Sequence, residues 1–323
     1  MITLDLKDRK ILFELDSNSR QSFHEIAKNV GLSKDAVIYR IKNLEKQGII
    51  QKYHTLIDTG KLGLISFRLY IKLQDMTPEQ EQALIDYLKA QKIVTWIASI
   101  EGPYDLALWV LTKTIKEMNT FWKQLHHLYA NYMAKHWLSI FTKVSYFPRV
   151  FLLNKETNED EYLFISEPDE QTLDDLDIKL LDLIAPDARM PIVELARKLG
   201  ITTKTASARI KNLEKRKIIL GYRTLFNMEV LGYQYFKLFI KTHNVTPEKE
   251  KYFREFIKRH PQTVYDNEAL GGEDFEIEIH ITSLQAFREF LDQLKLHFHD
   301  IIKEYYYMVF YKEHKFVFFP TLT

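Results

Sequence analysis

The sequence predicts an α+β protein in which one mixed unit of helices and strands occurs twice. Three observations carry this. The chain matches itself at an offset of 169 residues, from Ile41 to Ile210, along nearly its whole length. The first third of each copy shows apolar residues at helical spacing. The remainder interleaves strands of alternating apolar and polar residues with further helical patterns.

The repeat is densest where Ile41, Lys42, Asn43, Leu44, Glu45 and Lys46 recur as Ile210, Lys211, Asn212, Leu213, Glu214 and Lys215. The same offset pairs Arg20 with Arg189, Gly31 with Gly200, Tyr53 with Tyr222, Gly63 with Gly232 and Asp105 with Asp274. A chain of 323 residues exceeds the size at which a single core stops growing, roughly 250–300 residues, so two complete units fit. Between them, residues 154–172 are rich in Asp and Glu and read as a solvated connector, interrupted by an apolar patch at Tyr162, Leu163, Phe164 and Ile165 that suits a short strand docked on a neighbouring sheet.

The bulk composition narrows the function classes. With no cysteine, disulfides, thiolate zinc sites and a cysteine nucleophile are excluded. Neither end shows a signal peptide and no apolar run is long enough for a membrane helix, so a cytoplasmic protein without a membrane partner is expected. The formal charge of +1 conceals any polyanion footprint, which must be a local stripe.

Each unit opens with three short helices. Ile11, Leu12 and Leu15 mark the first, and Leu180, Leu181 and Ile184 repeat it. Ser22, three residues before Glu25, forms a capping-box pattern for the second, which Gly31 ends as Gly200 does in the other copy. The third starts at the hydroxyl caps Ser33 and Thr202 and buries Val37, Ile41 and Leu44, or Ala206, Ile210 and Leu213. Three helices with a glycine turn before the third make a helix-turn-helix, and the strand-like residues 49–53 and 218–222 add a small wing.

The exposed face of each third helix is polar and basic. From Ser33 to Lys52 five basic residues stand against two acidic ones, and from Thr202 to Arg223 seven stand against one. Such a stripe suits DNA: Lys and Arg neutralise phosphates, while amides and hydroxyls read base edges at about 1–3 kcal/mol per good contact. Candidate DNA-binding residues are therefore Ser33, Lys34, Asp35, Tyr39, Arg40, Lys42, Asn43, Lys46 and Lys52 in the first copy. In the second they are Thr202, Thr203, Lys204, Thr205, Ser207, Arg209, Lys211, Asn212 and Lys215. A charged face can also be merely solvated, but here the whole arrangement occurs twice in register.

The second part of each unit reads βαββαβ. Phe67, Leu69 and Ile71 alternate with Arg68, Tyr70 and Lys72, which predicts a half-buried strand, and Phe236, Leu238 and Ile240 repeat it. A helix follows Pro78 or Pro247, then strands over 93–100 and 106–111 joined by a turn at residues 101–105. A second helix carries Met118, Phe121 and Leu125, and a last strand is expected over 138–146 or 305–311. This is the ferredoxin-like order, with two helices on one face of an antiparallel sheet. The other face needs a cover, and a second copy of the sheet is the natural one, from the same chain or another. We place the helix-turn-helix domains at 1–56 and 173–225 and the ferredoxin-like domains at 62–153 and 231–323.

These features resemble the Lrp/AsnC family of feast/famine regulators. The resemblance rests on Asp8, Arg20, Glu25-Ile26-Ala27, Gly31-Leu32-Ser33, Arg40-Ile41, Leu44-Glu45 and Leu62-Gly63, and on their counterparts Asp177, Arg189, Glu194-Leu195-Ala196, Gly200-Ile201, Arg209-Ile210, Leu213-Glu214 and Leu231-Gly232. It implies a transcriptional regulator that binds double-stranded DNA, is no enzyme, needs no cofactor or metal, and forms homo-oligomers through its effector-domain sheets. It also implies an amino-acid-type effector near the turn between the middle strands, at Gly102, Tyr104 and Asp105 and at Gly271, Glu273 and Asp274. The second turn departs at Gly272 and Glu273, and Lys217 replaces the helix-ending Gly48. Both glycines also suit a plain tight hairpin.

Two alternatives belong to other classes. Sirohaem decarboxylases resemble these regulators and share the scaffold, but the His-Arg pair of that group before the Leu-Gly step is absent from residues 56–63 and 227–232. An oligomerisation protein with an inert helix-turn-helix would not need the exposed basic faces. His297 and His299, two apart, make a poor metal pair.

Overall fold

The computed structural model describes residues 4–155, 162–165, 169–317 and 319. Part of the expected acidic connector, residues 156–161 and 166–168, lies outside the described residues.

The first helix-turn-helix consists of α1 (Leu6–Ser17), α2 (Phe23–Val30) and α3 (Lys34–Lys46), followed by β1 (Ile50–Ile57). Asp5 caps α1, both halves of the Ser22–Glu25 capping box form, and Gly31 ends α2 at φ 71°. The apolar stripes read from the sequence meet in one core that includes Ile11, Leu15, Ile26, Val37, Ile41 and Leu44.

The ferredoxin-like domain follows: β2 (Ile65–Leu73), α4 (Pro78–Ala90), β3 (Val94–Glu101), β4 (Leu106–Thr112), α5 (Ile115–Tyr129) and β5 (Met133–Tyr146). Beyond it β6 (Tyr162–Ile165) pairs with the end of β5.

The second unit repeats the plan with α6 (Asp175–Ile184), α7 (Ile192–Leu199), α8 (Thr203–Lys215) and β7 (Ile219–Phe226). It continues with β8 (Gln234–Thr242), α9 (Pro247–Arg259), β9 (Thr263–Leu270), β10 (Phe275–Ile281), α10 (Leu284–Phe298) and β11 (Ile302–Phe316). Helix α8 ends as α3 does. Lys217 takes the left-handed conformation of Gly48, at φ 58° against 71°, so the departure marked in the sequence appears as backbone strain rather than as a different helix end.

Strand order within the ferredoxin-like domains is β5-β2-β4-β3 and β11-β8-β10-β9, and the last strand of each domain pairs with the second strand of the other, β5 with β9 and β11 with β3. Eight strands thereby close into a barrel, and no free sheet edge remains where the two units meet. The last strands are longer than the sequence predicted. Their added residues, such as Lys135, His136, Lys312 and Lys315, are polar and break the apolar alternation. Pairing with another strand, rather than burial, defines these ends.

Alternation in the strands sorts two cores. Phe67, Leu69 and Ile71 pack outward under α4 and α5 with Leu84, Leu88, Phe121 and Leu125, and Phe236, Leu238 and Ile240 do so under α9 and α10. The intervening residues point into the barrel. Arg68 and Tyr70 are therefore buried, not half-exposed as the sequence suggested, because the cover for the second face comes from the other half of the same chain. With those faces paired internally, they are not available to join separate chains.

Candidate DNA interface and the seam between the units

The two helix-turn-helix domains are joined by a two-stranded antiparallel ribbon, β1 on β7, in which His54 lies opposite Arg223. These two positions are equivalent in the repeat, so the ribbon sits on a pseudo-two-fold axis. The contacts around it are reciprocal, as a two-fold requires. Ser19 N donates to Tyr222 O at 2.9 Å and Ala188 N to Tyr53 O at 3.0 Å. The hydroxyl of Thr55 donates to Ile184 O at 2.7 Å and that of Thr224 to Leu15 O at 2.9 Å. Arg20 reaches across to Ala188 O and lies over Tyr222, while Arg189 reaches Ser19 O and lies over Tyr53. Arg20 and Arg189, given no contact by the sequence, thus clasp the two domains.

On α3 the side chains of Lys34, Asp35, Tyr39, Lys42, Asn43 and Lys46 are exposed, as is Lys52 on β1, and Tyr39 presents its ring almost fully, at 73% exposure. On α8, Thr203, Lys204, Thr205, Lys211, Asn212 and Lys215 are exposed and Ser207 is half-buried. Ser33 and Thr202 spend their hydroxyl lone pairs on the helix starts, accepting from Ala36 N at 3.2 Å and Thr205 N at 3.1 Å, and Thr202 also meets the Thr205 hydroxyl at 2.9 Å. Arg40 and Arg209 differ from the lysines. Arg40 donates to Asp5 and Asp8 at 2.8 and 2.7 Å, and Arg209 to Asp174 and Asp177 at 2.9 and 2.7 Å. These ion pairs raise the arginine pKa and tie each recognition helix to the first helix of its domain. The end of each recognition helix is anchored too, by Tyr53 donating to Glu45 and Tyr222 to Glu214, both at 2.6 Å.

The two glycine turns lie where the units meet. A Cβ on Gly102, at φ 138°, would stand 3.0 Å from the Tyr307 carbonyl oxygen of the other unit, and Trp137 Nε1 donates to Gly271 O at 2.7 Å. Asp105 and Asp274 face inward to their own domains: Asp105 accepts from Leu73 N and Lys72 Nζ, both at 2.6 Å, and Asp274 accepts from Thr242 N and its hydroxyl, both at 2.7 Å. They fix the turns. Tyr104 stacks near Trp137 with Lys135 Nζ 4.7 Å above its ring, whereas Glu273 accepts from Tyr306 at 3.1 Å.

Two buried charge clusters were not foreseen. Arg149 Nη1 lies 2.6 Å from Asp16, which is fully buried and also accepts from Arg149 N and Tyr146 OH. Inside the barrel, Lys237 pairs with Glu276 at 2.8 Å and Glu278 at 3.2 Å. Burial lowers the lysine's pKa, but the two carboxylates outweigh it and hold the ammonium charged. The signal for the second cluster was present: Arg68 and Lys237 occupy the strand face that the sequence required a second sheet to cover.

A family model for the winged helix-turn-helix DNA-binding domain matches residues 4–51, and one for the AsnC-type helix-turn-helix domain matches residues 173–214. An HTH-type transcriptional regulator of Methanocaldococcus jannaschii is 32% identical over 121 residues, which is 36% of this chain and 78% of that protein. An uncharacterized HTH-type transcriptional regulator of Pyrococcus horikoshii is 31% identical over 137 residues, 42% of this chain and 88% of that one. Each relative thus spans about one unit. Over both units, the chain resembles the crystal structure of the siroheme decarboxylase NirDL with a TM-score of 0.65, covering 98% of this chain and 94% of that one at 12% identity, a likeness of fold.

Proposed function

The chain belongs to the Lrp/AsnC family of helix-turn-helix transcriptional regulators, and from that membership we propose that it reads DNA through two unlike recognition faces fixed in one chain. It is a DNA-binding regulator; the proposal concerns which residues touch DNA and what site they select. The observation that carries it is the reciprocal clasp of the two helix-turn-helix domains, which sets α3 and α8 about a pseudo-two-fold although their outer residues differ. Asp35 and Tyr39 of the first helix correspond to Lys204 and Ala208 of the second. Lys34, Lys42, Lys46 and Lys52, with Lys204, Lys211 and Lys215, neutralise phosphates; Tyr39, Asn43, Thr203, Ser207 and Asn212 face bases. Arg40 and Arg209 hold the helices at the angle this requires.

Selection of bound sequences from a random duplex pool tests the reading. Two dissimilar half-sites are expected, and the double variant Asp35→Lys with Tyr39→Ala should move the preferred site toward symmetry. A symmetric palindrome chosen by the wild type overturns the proposal.

An amino-acid-type effector at the glycine turns belongs to the same proposal, supported by their place on the seam, where a bound molecule touches both units at once. Repeating the selection with and without amino acids tests it; operator affinity that no amino acid alters counts against it. A cytoplasmic location agrees with this role, and no described helix is long and apolar enough to cross a membrane.

A further inference from the structure

A cavity of about 1090 Å³ opens beneath the first helix-turn-helix, past Gly48 and Lys52, and runs into the barrel. Its walls combine aromatic rings, Trp96, Trp109, Tyr235, Tyr265 and Phe310 among them, with charged side chains. Arg68 lines it, only 8% exposed, with its guanidinium carbon 4.5 Å over the Trp96 ring and 4.9 Å over that of Phe141. Its Nε and Nη1 have no hydrogen-bond acceptor among the described residues. Leaving buried donors of a charged group unsatisfied destabilises the fold unless something supplies the acceptors.

Comparison with the other unit shows what is missing. Lys237 occupies the equivalent position and is satisfied by Glu276 and Glu278, whose counterparts beside Arg68 are Ala107 and Trp109. Of the four acids that line the cavity, Glu45, Glu278 and Glu313 are engaged by other side chains. Glu278 accepts from Tyr235, Lys237 and Asn267, and Glu313 accepts from Trp96 Nε1 at 2.6 Å. His280 Nδ1, also on the wall, is buried with no hydrogen-bond partner among the described residues. The Arg68 guanidinium thus presents open donors beside flat aromatic surfaces.

We infer that the barrel cavity is a binding site for a planar, multi-ring aromatic carboxylate, whose carboxylate pairs with the Arg68 guanidinium and whose rings stack among the aromatic walls. A volume at the upper end of ordinary ligand pockets suits several fused rings better than one amino-acid side chain. The guanidinium can grip a carboxylate through two parallel N–H donors. This site is separate from the glycine turns, and the inference stands independently of how DNA is read.

Pyrene-1-carboxylate is the probe and pyrene-1-methanol its neutral match. Titration of the full chain, followed by quenching of tryptophan emission from Trp96 and Trp109, should show saturable binding of the acid at least tenfold tighter than that of the alcohol. Arg68→Met should abolish the preference, Arg68→Lys should keep part of it, and Lys116→Met, which removes an exposed charge elsewhere, should leave it unchanged. Equal affinity for acid and alcohol in the wild type, or no saturable quenching by either, overturns the inference. That comparison uses only the wild type, so it decides the matter even if the Arg68→Met chain does not fold; operator binding, measured separately, reports on the DNA reading alone.

Discussion

Asp16 shows how much one residue can hold. Its carboxylate is fully buried at the end of α1, and all its partners, Tyr146, Arg149 N and Arg149 Nη1, come from the end of β5 and the turn after it. It ties the first helix-turn-helix to the barrel. Removing one member of a buried pair strands the other, so Asp16→Ala should lower unfolding stability by about 3–5 kcal/mol, read by urea denaturation. A loss below about 1 kcal/mol would show that water replaces the carboxylate. His54 and His280 act on stability in another way. Burial, with Arg149 nearby, holds both imidazoles well below their usual pKa, so the native state keeps them neutral. The unfolded chain protonates them near pH 6.5 and then binds more protons than the native state. Stability should therefore fall as pH drops below about 6.5, by up to about 1.4 kcal/mol per pH unit for each histidine. Thermal melting at pH 7.5 and 5 measures this, and His280→Phe should flatten the decline.

Among the elements, the recognition helices were legible because capping hydroxyls, turn glycines and 3.6-residue spacing are local. Their charge was only half legible. Arg40 looks like Lys42 in a count of basic residues, yet its partners Asp5 and Asp8 come from the cap and first turn of α1, more than 30 positions earlier. We expect Lys42→Ala with Lys46→Ala to reduce the salt dependence of DNA affinity by nearly two units of slope without moving the melting temperature. Arg40→Ala should instead cost up to about 1 kcal/mol of stability. If Arg40→Ala changes the salt slope and leaves melting untouched, the two roles are reversed. The same element scale holds Lys217, whose left-handed backbone glycine would adopt without strain; Lys217→Gly should raise stability by about 1 kcal/mol. The lengths of β5 and β11 could not be read, since their added ends are set by pairing with non-adjacent strands: residues 133–137 of β5 with β2, and residues 302–304 and 312–316 of β11 with β8 and β3.

At the scale of the whole molecule, duplication has produced a pair that differs inside as well as outside. The repeat in the sequence foretold two equal sheets covering one another, and the clasp around the ribbon is symmetric. The barrel interior is not. The first unit brings Arg68 with Ala107 and Trp109; the second brings Lys237 with Glu276 and Glu278. Two first units pairing together would enclose two arginines and neither of these carboxylates, while two second units would enclose four carboxylates around two lysines. Only the mixed pair encloses these charges in equal number, one arginine and one lysine with two carboxylates, both held by Lys237 and one of them, Glu278, also in the field of Arg68. Isolated buried charge is costly enough to decide between such assemblies. Residues 1–155 and 169–323 produced as separate chains in one cell should therefore assemble as a one-to-one complex, seen by native mass spectrometry. Homodimers of either half in comparable amount would mean that the interior charges do not choose the partner, and that the linkage between the units alone keeps the unlike halves together.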